Sequence, residues 1–153
     1  MKKITFRGML AIGAVDQLRL KTNNGKTGYQ VTKFQTISNR PGAQDSTSVT
    51  TIFKKSTGVA AGVERIDLTN PNVIAVSYQK NGDGTTETDA TTIIADPMVF
   101  NQDVFITAGN PDGGTEPVNY YIEIESMAIN DIEATQLTLQ SIRTLSEWVN
   151  NII

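Results

Sequence analysis

The sequence has 153 residues, of which 39% are hydrophobic and 19% are charged, and its formal net charge is −3. This length fits one domain with one core. The chain has no cysteine and no histidine, which excludes disulfides, thiol nucleophiles, Ser-His-Asp triads and nearly all zinc sites. Carboxylates, lysines, hydroxyls and amides remain for catalysis, so much of enzyme chemistry is excluded. We expect a single domain over residues 1–153.

Strand-like runs follow one another along most of the chain. Threonine, which favours strands, occurs 20 times, and asparagine, which favours turns, occurs 12 times. The predicted strands span residues 4–10, 17–22, 29–37, 49–54, 63–68, 73–79, 91–95, 103–108 and 118–129. About eight strands at this spacing predict an antiparallel β-sandwich of jelly-roll type.

Two local patterns predict how two of the strands connect and which face each side chain of the second strand occupies. The sequence Asn-Asn-Gly at residues 23–25 predicts a hairpin between the strands at 17–22 and 29–37. Within the second of these strands, strict alternation places Tyr29, Val31 and Lys33 on one face, and Phe34 and Thr36 on the other.

Alternation is clearest in the last predicted strand. It separates Tyr120, Ile122 and Ile124 from Glu123 and Glu125, which lie on the other face. Paired carboxylates at this spacing are compatible with glycoside hydrolysis. A solvated strand face explains them better, because no second catalytic motif accompanies them.

The C-terminal region changes to a helical period. Apolar residues recur at spacings of three, four and seven, which predicts an amphipathic helix near residues 131–149. This helix either closes the edge of the sandwich or docks onto a neighbouring subunit. Its candidate interface residues are Leu139, Ile142, Leu145, Trp148 and Val149.

Charge is divided unevenly along the chain. Residues 1–80 carry twelve Lys and Arg against four Asp and Glu, whereas residues 81–153 carry one base, Arg143, against twelve acids. The two halves should attract each other, either between interleaved strands of one domain or between copies in an assembly. The basic residues form no dense cluster with aromatic residues, so we expect no direct contact with nucleic acid.

Two turns contain several oxygen ligands. Residues 81–84 with Glu87 and Asp89, and residues 110–114 with Glu116, offer carboxylates and amides near one another. Neither turn has the full ligand spacing of a calcium loop, and plain turns explain both better. No metal-binding residues are predicted, and no stretch approaches the roughly 20 apolar residues that span a membrane.

Aromatic residues could supply a stacking surface for sugar rings. The candidates are Tyr29, Tyr78, Tyr120, Tyr121 and Trp148. With ten aromatic residues in the chain, most are needed in the core or at an interface.

Several stretches at both ends of the chain carry a family resemblance. They are FRGML (6–10), VDQLRLKTNNG (15–25) with TGY (27–29), FNQDVFIT (100–107), NYYIEIE (119–125) and TLQSIR (138–143). Together they resemble small virion structural proteins of marine tailed bacteriophages, although the similarity is weak between about residues 40 and 95. The resemblance implies a particle component without an active site.

We therefore expect a non-enzymatic structural subunit located in the virion, most simply a capsid decoration or cement protein. Its expected partners are other copies of itself, in a homo-oligomer, and other virion proteins such as the major capsid protein. No membrane contact and no catalytic or cofactor-binding residues are expected. Two alternatives remain open: a tail or neck component of the virion, and a carbohydrate- or receptor-binding β-sandwich module. An exposed cluster of tyrosines with nearby amides would favour the second.

Overall fold

The computed structural model describes residues 2–21, 25–40, 46–55, 58–81, 89–95, 99–130 and 136–139. The strands within these residues are β1 (Lys2–Leu10), β2 (Val15–Leu18), β3 (Thr27–Ser38), β4 (Ser46–Phe53), β5 (Val73–Asn81), β6 (Asp89–Ile94), β7 (Val104–Gly109) and β8 (Val118–Ala128).

The strands form two antiparallel sheets, with the orders β1-β8-β3 and β2-β7-β4-β5-β6. A jelly roll has two sheets. In one sheet, strand 1 pairs with strand 8 and strand 8 with strand 3; in the other, strand 2 pairs with strand 7, strand 7 with strand 4 and strand 4 with strand 5. These pairs are all present. The exception is β6, which pairs with β5 instead of β3. The predicted antiparallel, jelly-roll-like sandwich is confirmed.

The predicted C-terminal helix is confirmed as an element. Residues 136–139 are helical and lie inside the predicted range of 131–149. The remaining positions of that range fall outside the described residues.

The predicted hairpin at residues 23–25 is wrong. β2 pairs with β7 and β3 pairs with β8, so consecutive strands lie in different sheets. Gly25 does adopt a positive φ of 84°, as a glycine at a tight bend can. The long-range partners β7 and β8, and not the local Asn-Gly sequence, decide the pairing.

The core lies between the two sheets. Ile122 and Ile124 of β8 cluster with Ile52 of β4 and Ile106 of β7, and all four side chains are fully buried. Burying each such side chain stabilises the fold by about 1.5–3 kcal/mol. The alternation predicted for residues 118–129 therefore correctly identifies the inward face of β8.

A β-bulge in β3 corrects the predicted faces of that strand. The register with β8 shifts between Val31 and Lys33, so that one extra residue, Thr32, enters the strand. Phe34 is therefore buried in the core together with Tyr29 and Val31, although strict alternation had placed Phe34 on the opposite face.

Residues 58–72, which we call the covering segment, lie over the outer face of the larger sheet. Val59 packs against Val49, Val73 and Val76, which form a second apolar cluster. The backbone N–H of Gly62 donates to Thr107 Oγ1 at 2.8 Å.

The strand predicted at residues 63–68 is wrong, because it lies within this covering segment. Its backbone makes local turn hydrogen bonds, from Val63 N to Ala60 O at 3.2 Å and from Asn70 N to Asp67 O at 3.3 Å. Both Thr69 N and Thr69 Oγ1 donate to the Asp67 carboxylate. These bonds lower the pKa of Asp67, the side-chain bond having the larger effect.

Polar groups fill the space between β3 and the larger sheet, where β3 and β6 do not pair. Thr36 Oγ1 lies 2.7 Å from Ser77 Oγ, which lies 3.1 Å from Thr92 Oγ1. The side-chain amide of Gln79 is oriented so that both its nitrogen and its oxygen have partners. The nitrogen donates to Thr36 O, and the oxygen accepts from Ser48 Oγ and Ser38 N, at 3.0–3.2 Å. We call these groups the polar seam.

Candidate interaction surfaces

The smaller sheet presents an outer face that alternates in charge. Because β8 lies between β1 and β3, Arg7 and Gln35 flank Tyr121, and Lys33 lies beside Glu123. Strands from the basic half of the sequence therefore enclose a strand from the acidic half. Part of the predicted attraction between the halves acts within this one domain.

Glu123, one of the two candidate catalytic carboxylates, already has partners on this face. Its Oε1 lies 3.2 Å from Lys3 Nζ and accepts a hydrogen bond from the Tyr121 hydroxyl at 3.4 Å. Exposed ion pairs of this kind contribute at most about 1 kcal/mol. The contacts favour a surface network over a pair of carboxylates available for acid–base chemistry.

One end of the outer face contains a cavity of about 320 Å³. Its lining includes the Tyr121 ring and the amide side chains of Gln35 and Asn119. The exposed apolar side chains of Met9 and Ile37 both lie opposite Asn119 in the register. A ring beside amides can stack on and hydrogen-bond to a sugar.

The other described tyrosines do not join Tyr121. Tyr29 and Tyr120 are buried in the core, and Tyr78 packs against the second apolar cluster. Trp148 falls outside the described residues. Within the described ranges, the tyrosine candidates therefore form no exposed cluster.

A groove of about 540 Å³ opens at the end of the sandwich where β1 and β3 begin. Residues at the start of β1 and just after β2 bring four cationic side chains to its lining, namely Lys2, Lys3, Arg19 and Lys21. We call this the basic groove. Its other lining residues are Ile4, Leu20, Thr27, Tyr29 and Ser126, so no carboxylate among the described residues lines it.

Two hydrogen bonds hold the rim of the basic groove in place. Asp103 Oδ1 accepts from Leu20 N at 2.8 Å, and the Tyr29 hydroxyl donates to Lys21 O. Burial raises the pKa of Tyr29, and the negative charge of Asp103 raises it further. With Leu20 and Lys21 fixed by their backbones, Arg19 and Lys21 extend into solvent.

Two other cations of the first eighty residues, Lys54 and Lys55, lie in different surroundings. Lys55 Nζ donates to Gln102 Oε1 at 2.6 Å. Lys54 is half-buried, and its pKa is lowered by burial and then by the neighbouring Lys55. In contrast, the side chains of Lys2, Arg19 and Lys21 make no hydrogen bond or ion pair with any residue in the described ranges.

The candidate calcium loops differ in what the structure describes. In residues 110–114, Asn110 Oδ1 accepts from Asp112 N at 2.8 Å, and Asp112 Oδ2 accepts from Thr47 Oγ1 at 2.7 Å. Residues 82–88 of the other loop lie outside the described residues. Among the residues that are described, no three acidic side chains cluster as metal ligands.

Leu139 is the one predicted interface residue in the described ranges, and its side chain is 56% exposed. Asn101 Nδ2 donates to the neighbouring Thr138 Oγ1 at 3.2 Å, which connects this helical turn to the sandwich. Ile142, Leu145, Trp148 and Val149 lie outside the described residues. In the part of the chain that is described, no helix is long and apolar enough to cross a bilayer.

Sequence reasoning missed the basic groove, and it named Tyr121 as a sugar-stacking candidate without the amides of Gln35 and Asn119 that line the cavity beside it. The two cationic pairs, at residues 2–3 and at 19 and 21, have no motif spacing, because the packing of β1 against the end of β2 brings them together. The doubled lysine at the start of the chain was the only local signal.

Comparison of the sequence with protein-family models and with curated proteins gives no significant match. The resemblance to virion structural proteins therefore stays a prediction.

Proposed function

We propose that the chain is a non-enzymatic structural subunit of a bacteriophage virion, a capsid decoration or cement protein that associates with copies of itself and with other virion proteins such as the major capsid protein. The sequence resemblance supports the virion, and the jelly-roll-like sandwich is an architecture that capsid proteins use. A tail or neck position is the alternative within the same class.

The basic groove is the observation that carries the proposal. Three cations without partners in the described ranges lie around one groove, although the whole chain has a net charge of −3. Like charges held together repel one another and favour an acidic partner. The acidic half of the sequence provides such a partner in every further copy of the chain.

Sedimentation of the purified protein between low and near-molar salt tests the self-association. We expect association to weaken as salt rises, because exposed charge pairs are screened beyond about 8–10 Å at 0.1–0.15 M salt. The double variant Arg19→Glu/Lys21→Glu should dissociate at lower salt than the wild type. Locating the protein in purified particles by cryo-electron microscopy then distinguishes capsid from tail or neck.

The matched control is Arg40→Glu/Lys80→Glu, which makes the same change in net charge on exposed residues outside the groove. Association in this control should stay close to that of the wild type. A protein that is monomeric at every salt concentration would contradict self-association. Equal effects of the two variants would assign the salt dependence to net charge and not to the groove.

A carbohydrate-binding module is the second candidate, supported by the Tyr121 cavity. Tyr121→Ala removes the ring that lines the cavity together with Gln35 and Asn119, and it should abolish glycan binding if the cavity is a sugar site. A glycan array with the wild type and this variant makes the comparison. Binding that is unchanged in the variant would rule out the cavity as the site.

A further inference from the structure

The connection between β7 and β8, residues 110–117, is acidic and reaches the surface, and we call it the acidic turn. It contains two carboxylates, Asp112 and Glu116, and no basic residue. Residues 111–115 are exposed, and Glu116 is half-buried. Two adjacent glycines belong to the exposed run and carry no side chain. The acidic turn is therefore a narrow, negatively charged loop.

Hydrogen bonds at its base hold the acidic turn in one conformation. Asn110 O accepts from Gly113 N at 3.1 Å, and Asn110 Oδ1 accepts from Asp112 N at 2.8 Å. Asp112 Oδ2 accepts from Thr47 Oγ1 of β4 at 2.7 Å. A loop that is ordered before binding loses little conformational entropy when it binds, so the acidic turn is well suited to a specific contact.

The acidic turn and the basic groove lie at opposite ends of the sandwich. β8 begins at Val118, directly after the turn, and pairs there with Leu10 at the end of β1. Further along β8, Ser126 lines the groove and pairs with Lys2 at the start of β1. The strand between Val118 and Ser126 spans roughly 26 Å at about 3.3 Å per residue. The acidic turn therefore cannot reach the groove of its own copy.

Two other pairs of acidic residues have a cation beside them. Arg65 lies between Glu64 and Asp67 in the sequence, and Glu123 forms an ion pair with Lys3. The carboxylates of the acidic turn form no ion pair with any residue in the described ranges. Of these acidic pairs, the one in the turn is therefore best placed to meet cations of another molecule.

We propose that the acidic turn of one copy binds in the basic groove of the next copy. This inference rests on the proposed self-association and names the contact that produces it. The two carboxylates would lie among Lys2, Arg19 and Lys21, where no carboxylate of the described residues lines the groove. Because the two surfaces differ and lie at opposite ends, the contact is heterologous, and repeating it builds a ring or a filament.

Reversing the charges on each side tests this contact by sedimentation. The turn variant Asp112→Lys/Glu116→Lys and the groove variant Arg19→Glu/Lys21→Glu should each self-associate more weakly than the wild type, by roughly tenfold or more, because each places like charges against one another. An equimolar mixture of the two variants should associate again. In that mixture, every contact between a turn variant and a groove variant joins opposite charges.

Two further variants separate the charge of the turn from its shape and from net charge. Asp112→Asn/Glu116→Gln removes both charges but keeps an oxygen that can accept from Thr47, and it should also weaken association. Glu64→Lys/Asp67→Lys is the matched control, because it changes the net charge as the turn variant does, on exposed residues outside the turn. This control should associate like the wild type.

The outcomes distinguish this contact from the proposed function. A wild type that stays monomeric would contradict both the proposed self-association and the contact. Association that is lost in the groove variant but kept in both turn variants would contradict the contact alone. The contact is also wrong if the equimolar mixture stays dissociated, or if the control weakens association as much as the turn variant does.

Discussion

Tyr120 connects the two sheets through its hydroxyl, and a glycine on the neighbouring strand leaves room for its ring. A methyl group on Gly8 would stand 2.8 Å from the Tyr120 hydroxyl oxygen, so the bare α-carbon of Gly8 leaves room for the ring. The Tyr120 hydroxyl donates to Asp16 Oδ2 of β2 at 3.3 Å. Burial, followed by the charge and the hydrogen bond of Asp16, raises the pKa of Tyr120 to about 12.

This raised pKa predicts a loss of stability at high pH. The unfolded chain releases the Tyr120 proton near the ordinary value of 10.0, whereas the folded chain holds it until about 12. As pH rises through this window, ionisation increasingly favours the unfolded state, so the free energy of unfolding falls. Tyr29 contributes in the same direction, because its pKa is also raised.

Urea unfolding of Tyr120→Phe measures the effect. At pH 7 the variant should be less stable by about 0.5–1.5 kcal/mol, because it loses one hydrogen bond. Between pH 10 and 12 its stability should fall less steeply than that of the wild type. Tyr121→Phe, which removes a hydroxyl from the outer face, is the control. An equally steep fall in Tyr120→Phe and in the wild type would contradict the assignment.

At the scale of elements, the alternation of apolar and polar residues predicted where most strands lie, but it did not predict which strands pair. The run at residues 118–129 identified β8 and its inward face, because every second side chain there meets the core. In β3, the bulge at Thr32 shifts the face of Phe34, and no local pattern marks that extra residue. The run at 63–68 has the composition of a strand, but its hydrogen bonds close local turns over a sheet face.

The C-terminal helical turn carries a prediction about association. Leu139 is 56% exposed, so Leu139→Lys should change the free energy of unfolding of the isolated chain by less than about 0.5 kcal/mol. If the apolar stripe docks onto another subunit, the same variant should weaken self-association several-fold in sedimentation experiments. Leu137→Lys is the comparison, since Leu137 is more buried and should destabilise the chain itself.

A stable Leu139→Lys variant with wild-type association would remove this helix from the interface. Association would then depend on the basic groove or on other surfaces.

At the scale of the molecule, the sequence predicted electrostatic attraction between its two halves. It did not predict which charged residues pair within the domain and which stay around the groove. The sheet order places β8 between β1 and β3, so Lys3 forms an ion pair with Glu123 within the domain, and Lys33 lies opposite Glu123 in the strand register. Lys2, Arg19 and Lys21 are left around the groove. Strand order is a long-range property, and the candidate site therefore could not be predicted from residue spacing.

The polar seam joins the two sheets where a jelly roll would pair β3 with β6. Gln79 is 4% exposed and connects β5 to Thr36, Ser38 and Ser48 through its amide. Gln79→Leu would keep the size of the side chain but leave these buried groups without partners. We expect a loss of stability of about 2–4 kcal/mol, because each buried polar group without a partner costs about 1–3 kcal/mol and the neighbours can relax in part.

Hydrogen exchange distinguishes loss of the seam from a general loss of stability. In Gln79→Leu, the backbone N–H of Ser38 loses its hydrogen bond to the Gln79 oxygen, so its protection should fall by more than the change in global stability. Amides at the centre of β8 should lose protection only by the amount of that global change. Gln35→Leu is the matched control, because Gln35 is exposed on the outer face of β3 and the substitution should cost less than about 0.5 kcal/mol. Uniform loss of protection across both sheets in Gln79→Leu would show that the seam does not hold β3 against the larger sheet independently of the apolar core.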